Sequence, residues 1–365
     1  MTVGRRQLRA LQVEVTSRCT RCCALCPRDA LGDRWRDGDL PDDVWSRLEP
    51  DLSLASHVHL QGWGEPLLHP GLRRMARAAK RAGCTVGITT NGDLLEQAGG
   101  WIAAERIDVV TLSVAGEPAT HGRLRGGSDL ERVLAAAETL ARLLHRGARL
   151  QLSYLATREN IDELPALVER AARRGVKEVF VSHLDCTPTA ELRDLALFSA
   201  AGLSPGATQA LAATTELARR RRLLLRLPHP LEGPRDLLTC ALDPTRLAFV
   251  GFDGRVGPCV NLLLPIRGAI PRAGLRGALA VEPVSYGVLP ASSLQELLAG
   301  EARLRFIAPF VRRLEAERRF VDSLPTGLGA EALRELELAD RQRDGALAAS
   351  PFPAACDGCH KAGGW

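Results

Sequence analysis

Leu11-Gln-Val13-Glu-Val15-Thr16 alternates apolar and polar residues, and after two intervening residues comes Cys19-Thr-Arg-Cys22-Cys23-Ala-Leu-Cys26. Apolar residues at every second position mark a half-buried strand. The cysteines then sit on the loop leaving its C-terminal end. Cys19, Cys23 and Cys26 have the spacing C-x3-C-x2-C. Thiolates are preferred ligands of iron–sulfur clusters, and closely spaced cysteines on one short loop can wrap a single cluster. Three protein ligands leave one iron of a cubane open for chemistry, whereas a fully ligated cluster only stores an electron. The competing uses are weaker. A structural zinc site takes four ligands in two pairs, and no second pair lies nearby. A disulfide does not suit a chain with no secretory signal. Cys22 is the spare thiol and reads as a bystander.

The 365 residues suffice for one large domain and a smaller one. A content of 45% hydrophobic and 25% charged residues is that of a soluble globular protein. The net charge of +5 is mild. Arg219-Arg-Arg-Arg222 raises the question of nucleic acid. It closes a helical stretch, however, where cations complement the negative end of the dipole, so no nucleic-acid partner is expected. No apolar run reaches the ~18–20 residues of a membrane span. Met1-Thr-Val-Gly-Arg-Arg6 lacks the apolar core of a signal peptide. Ten cysteines without an export signal argue for a reducing compartment and for metal ligation. The expected location is cytoplasmic, with no membrane partner.

Downstream, helical and strand patterns alternate. Helical spacing covers Asp42 to Leu54, and His57-Val-His-Leu-Gln61 is a short strand ending in Gly62-Trp-Gly64-Glu65-Pro66. Next come a helix at 72–82, a strand at 84–89 that begins with a core Cys84, the turn Thr90-Asn91-Gly92, a helix at 94–105 and a strand at 108–114. Ser128-Asp-Leu-Glu131 reads as a capping box opening a helix to about Leu144. A strand at 149–155, a helix opened by Asn160 as N-cap and a strand at 177–182 complete six units. Such alternation implies parallel pairing with right-handed crossovers, in an open doubly wound sheet or a curled, incomplete barrel. Either way, ligands gather at the C-terminal strand ends. The cysteine loop, Gly62–Pro66, Asn91-Gly92 and Ser113 all fall there, which describes one site over one rim.

From about Gly202 the repeat fades, and 201–239 reads as a linker containing Pro228-His-Pro230. The second part, 240–365, opens with Cys240. Asp253-Gly254 between apolar runs signals a tight hairpin that returns Cys259 toward Cys240. Residues 268–283 read as a loop, and Ser293-Leu-Gln-Glu296 caps a helix. Cys356-Asp-Gly-Cys359 supplies a last pair. Four thiolates in two groups suit zinc as well as a cluster.

These motifs together resemble the radical S-adenosylmethionine enzymes. The resemblance rests on Cys19, Cys23 and Cys26, on Gly-Trp-Gly-Glu-Pro, on Thr90-Asn91-Gly92 and on Ser113, and it covers 9 to about 185. It implies a partial (βα)6 TIM-like barrel at 1–200, holding a 4Fe-4S cluster on three cysteines with S-adenosyl-L-methionine on the open iron. Cofactor contacts are then expected from Gly62, Gly64, Glu65, Asn91 and Ser113, with Arg125 as a candidate for the cofactor carboxylate. Three positions depart from the family pattern. Leu25 stands where an aromatic is common, Trp63 interrupts a double glycine, and Ala115 replaces an Asp. Cys240, Gly254 and Cys259, with spacing C-x13-G-x4-C, resemble the SPASM or shortened twitch extension. That implies a small C-terminal α+β domain whose auxiliary 4Fe-4S cluster is held by Cys240, Cys259, Cys356 and Cys359.

The implied activity is reductive cleavage of S-adenosylmethionine to a 5′-deoxyadenosyl radical that takes hydrogen from a peptide, protein or small-molecule substrate. Electrons would come from a low-potential donor such as flavodoxin or ferredoxin. Cys186, after the sixth strand, is a candidate hydrogen donor or else a buried core thiol. Alternatives within the superfamily are a small-alcohol dehydrogenase and a maturase of a partner metalloenzyme. The latter is hinted at by the terminal Cys-x2-Cys and Gly363-Gly-Trp365. Rival classes are a non-catalytic iron–sulfur carrier and a zinc-stabilised nucleic-acid-binding protein.

Overall fold

A computed structural model of the chain describes residues 6–184, 186–197, 203–227, 237–274, 277–327 and 329–363. The first five residues, Asp185, the domain boundary near 200, Pro228-His-Pro230 and the last two residues of the Gly363-Gly-Trp365 ending lie outside the described residues. In chain order the first half contains β1 (Leu8–Val13), α1 (Pro27–Leu31), α2 (Asp42–Leu48), β2 (Ala55–Leu60), α3 (Leu72–Arg81), β3 (Thr85–Thr90), α4 (Leu95–Ala104), β4 (Val109–Val114), α5 (Pro118–Leu124), α6 (Leu130–Leu143), β5 (Arg149–Ala156), α7 (Leu164–Arg173) and β6 (Glu178–His183). β1 to β6 lie side by side in sequence order, and each neighbouring pair is parallel. A sheet that grows in one direction with no reversal of order is wound as a barrel is, with no switch point of a doubly wound fold.

The second half holds α8 (Ala190–Leu195), α9 (Pro205–Arg221), β7 (Leu224–Arg226), β8 (Leu247–Val250), β9 (Arg255–Gly257), β10 (Ile270–Gly274), β11 (Gly277–Val281), β12 (Gly287–Val288), α10 (Leu294–Ala299), α11 (Glu301–Asp322) and α12 (Ala330–Ala348). α9 and β7 fall within 201–239, the stretch read as a linker, and β7 pairs parallel to β6. β8 pairs parallel to β1 on the side away from β2, so β1 is an interior strand. β9 returns antiparallel through Asp253-Gly254, with Gly254 at φ +81°, and β12 adds beyond it. The ten strands make one sheet with β7 and β12 at its edges, so the barrel stays open.

Alternation builds two different faces. Val58, Leu60, Val86, Ile88, Val110, Leu112 and Val114 point into the layer beneath the helices and are fully buried with Trp45, Met75 and Ile102. Burying one such side chain contributes about 1.5–3 kcal/mol. The opposite face looks into the barrel and is polar. His59 Nε2 meets Thr89 Oγ1 at 2.8 Å, and Gln151 Nε2 donates to Thr111 Oγ1 at 2.7 Å. Burial pushes the His59 imidazole down to about 3, so it is neutral there.

Several local expectations need correction. The cap of α6 is Asp129, whose carboxylate accepts from Glu131 N and Arg132 N; Ser128 is buried one residue outside. Asn160 stands at the N-cap position of a short 3-10 turn, Ile161–Glu163, that leads into α7, but its side chain caps no N–H of that turn. Its Oδ1 accepts from Thr157 N (2.7 Å) and its Nδ2 donates to Leu155 O (2.9 Å), which braces the exit of β5. Residues 268–283 contain the β10–β11 ladder rather than a loop. The Ser293–Glu296 capping box is present as read.

Candidate active site

Beyond β1, Val15, Thr16 and Ser17 remain buried and aim the cysteine loop across the rim. Cys26 N donates to Cys23 O (2.9 Å), closing a turn from which α1 starts at Pro27. Cys23 is buried, while Cys19 and Cys26 are half-buried. The loop after β3 grips this turn. Arg21 pairs with Asp93 and donates to Gly126 O (3.1 Å), and Thr20 Oγ1 donates to Asp93 Oδ2 (2.9 Å). Asn91 Nδ2 donates to Thr20 Oγ1 (3.0 Å) and lies 3.9 Å from Cys19 Sγ.

The loop after β2 needs its glycines for close approach. A Cβ on Gly62 would overlap the Glu14 side chain, and one on Gly64 would overlap the carbonyls of Thr16 and Arg18. Glu65 is 2% exposed, with its backbone N–H bound to Arg18 O (2.8 Å). Its Oε1 accepts from Thr90 Oγ1 (2.7 Å) and Leu67 N (3.1 Å), and its Oε2 accepts from Asn91 N (2.7 Å). Burial raises the Glu65 carboxyl above its usual range, and these three bonds pull it back toward the charged form. Glu65 therefore ties the ends of β2 and β3 together.

The chosen residues converge. Cys19, Cys23, Cys26, Gly62, Gly64, Glu65, Asn91, Ser113 and Arg125 all line one cleft of about 220 Å³, with Ser153 and Ser182 on the strands beyond. Arg125 is half-buried and forms no ion pair among the described residues. Cys186 lies in the core, 8% exposed, and is not part of this lining.

The donor chemistry fits a thiolate-held cluster. Burial pushes the Cys26 thiol up to about 12 and raises Cys19, with Arg125 a weaker opposing influence on Cys26. Such thiols stay protonated unless a metal's charge replaces the proton. Three cysteines at one end of the cleft and an unpaired guanidinium beside them suit a cluster with an open iron and an anionic co-ligand.

A second set forms far along the sequence. Cys240, Cys259, Cys356 and Cys359 line one small cavity with Phe306 and Phe310. Among the described residues no three Cys, His, Asp or Glu side chains gather tightly enough to hold a single metal ion. Burial raises Cys240 and Cys356 and pushes Cys259 up to about 12. Arg272, 8% exposed, donates to Ala355 O (3.1 Å) and Asp357 O (2.6 Å) and forms no ion pair among the described residues. A buried positive charge needs a negative partner, and thiolates on a cluster would provide one. The donor set suits that group.

Three residues with a part in this arrangement carried no motif. Glu14 is fully buried; its Oε1 accepts from Trp63 N (2.8 Å) and its Oε2 from Phe252 N (3.3 Å). Its only sequence signal was a polar place in the first alternation. Asp93, which holds the cysteine loop, follows the Asn91-Gly92 turn directly. Arg272 lies in the stretch read as a loop.

Comparison with known proteins agrees with this geometry. Residues 13–171 match the Radical SAM superfamily. A tungsten-containing aldehyde ferredoxin oxidoreductase cofactor-modifying protein of Pyrococcus furiosus is 26% identical over 270 residues, 70% of this chain and 72% of the relative. A PqqA peptide cyclase of a Methylobacterium species is 29% identical over 264 residues, 68% of this chain; the chain spans 66% of that relative's length, just under two thirds. The solved structure of native anSMEcpe with bound AdoMet superposes with a TM-score of 0.61 at 16% identity, over 93% of this chain and 99% of that one, which is a likeness of fold. With its three-cysteine loop, its parallel sheet and these relatives, the chain carries a radical SAM domain over residues 13–171.

Proposed function

We propose that this enzyme acts on a peptide or protein substrate held over the rim of the open barrel. The observation that carries the radical chemistry is the meeting of Cys19, Cys23, Cys26, Glu65, Ser113 and Arg125 around one cleft. Cys19, Cys23 and Cys26 would hold a 4Fe-4S cluster, and Cys240, Cys259, Cys356 and Cys359 a second one that carries electrons. When bound, the first cluster and S-adenosylmethionine supply a one-electron cleavage giving methionine and a 5′-deoxyadenosyl radical, which takes a hydrogen atom from substrate.

The chain's own residues do the positioning. Asn91 directs an N–H at the Cys19 sulfur, Glu65 fixes the two loops that frame the cleft, and Arg125 stands ready for the cofactor carboxylate by a charge-assisted bond. Ser113 lines the cleft from β4 and would face the cofactor, Gly62 and Gly64 would present backbone to it, and Leu25 and Leu155 would keep water from the reacting groups. Cys186, buried away from the cleft lining, has no part in this scheme.

Similarity to a peptide cyclase supports the substrate class. Similarity to a cofactor-modifying protein favours a second reading, maturation of a partner metalloenzyme. Electrons would come from a low-potential protein such as flavodoxin or ferredoxin. Ten free cysteines support a cytoplasmic, reducing setting, and no described helix is long and apolar enough to cross a membrane.

The test is anaerobic reconstitution followed by strong reductant and S-adenosylmethionine. Release of 5′-deoxyadenosine and methionine, lost in Cys23→Ala, is expected; iron-loaded protein that releases neither overturns the reading. A mass change in an added peptide supports the first substrate class. Activation of an added metalloenzyme, with no peptide changed, would replace it with the second.

A further inference from the structure

Two sites far apart in sequence share one strut. Trp63 lines the cleft, and its indole Nε1–H donates to Val260 O (3.3 Å), the residue next to Cys259. The Trp63 backbone N–H donates to Glu14 Oε1 (2.8 Å). The other oxygen of Glu14 accepts from Phe252 N (3.3 Å), in the turn of the β8–β9 hairpin that leads to Cys259. The same hairpin is held at its turn by Arg36, which pairs with Asp253 at 3.1 Å. Gly62 packs directly on the Glu14 stem. The loop carrying Gly62, Gly64 and Glu65 is thus fastened at both its backbone and its indole to the segment carrying Cys259.

From this we infer that Trp63 and Glu14 are positioning residues that couple the two cysteine sites. Filling the C-terminal ring fixes Cys259 and Val260, and the strut passes that order to the loop framing the S-adenosylmethionine cleft. The inference rests on the ring taking an iron–sulfur cluster, as proposed above. Trp63 is the residue that interrupts the glycine pair, and its indole N–H is the group that reaches across. Phenylalanine keeps the ring and loses the donor. Glutamine at position 14 can accept from Trp63 N but presents a donor to Phe252 N, which breaks the other limb.

The experiment uses the full chain with Cys19, Cys23 and Cys26 all replaced by Ala, so that only the C-terminal ring can take up iron and sulfide. Iron content and amide exchange of 61–67 are measured at pH 8 before and after anaerobic loading. One hydrogen bond of this kind corresponds to a change of about fivefold in an equilibrium, so exchange is expected to slow about fivefold on loading. In the same background, W63F or E14Q should reduce the slowing to less than about twofold while iron uptake stays unchanged. Exchange across the rest of the chain reports whether each variant is folded, and the two variants break different limbs. Iron uptake with no slowing at 61–67, or equal slowing in W63F and E14Q, overturns the coupling and leaves the ring reading intact. Failure of the ring to take iron overturns the ring reading, and the coupling with it.

Discussion

Glu14 offers a sharp test of the physics of this interior. Its carboxyl has no solvent contact, and burial raises it from 4.5 to about 7, with Asp253 adding to the rise and Trp63, Phe252 and Arg255 opposing it. In the unfolded chain it titrates near 4.5. Between those values the folded protein holds a proton that the unfolded chain has released, so stability falls as pH rises through this window. Below 4.5 the two states are protonated alike and the group contributes nothing. The difference of about 2.5 pH units, at 1.36 kcal/mol each, amounts to about 3 kcal/mol, reached above pH 7. Glu14→Gln cannot ionise and keeps the bond to Trp63. The assay is urea denaturation of cluster-free wild type and E14Q from pH 5 to 8.5. The stability of E14Q relative to wild type should climb by about 2.5 kcal/mol across that range, most steeply near pH 5.5–6 and levelling off above about pH 7.5. A relative stability flat to within about 0.5 kcal/mol would refute the reasoning, because a carboxylate that ionises freely is not desolvated.

Arg125→Gln should weaken S-adenosylmethionine binding about tenfold in equilibrium dialysis, the loss of one charge-assisted bond, while iron content is unchanged. Arg272→Met removes the positive charge beside the C-terminal thiols, so iron after reconstitution should fall from about eight toward about four per chain, read by colorimetric iron and sulfide assay. Cys22→Ser should load iron as wild type does, whereas Cys23→Ala should lose the first cluster, seen as absorbance near ~400 nm falling to about half.

Much of the site was legible because its residues stand at strand ends, where short-range pattern and ligand chemistry coincide. The cysteine spacing, the Gly-rich loop after β2, Asn91, Ser113 and Arg125 come to one cleft without knowledge of tertiary contacts. The hairpin at Asp253-Gly254 and the box at Ser293 are equally local signals. What stayed hidden depends on partners distant in sequence. The polar half of each alternation, Gln12 and Glu14 or His57 and His59, reads like a solvent face; the curl of the sheet encloses it, so its hydrogen bonds are internal. Asn160 carries a cap's chemistry but spends it on the backbone of Thr157 and Leu155. β7 and β10 are short and carry too little period to separate them from loop.

The position of β8 also limits how the chain can be dissected. Because that strand lies alongside Leu11 and Val13, a fragment ending near 239 would bare a row of amide and carbonyl groups next to the very loop that ligates metal. Such a fragment would recruit another strand in place of the lost one, so the front portion should precipitate or self-associate when produced alone. The partition suggested by cysteine spacing follows the chemistry, and the β1–β8 pairing crosses it.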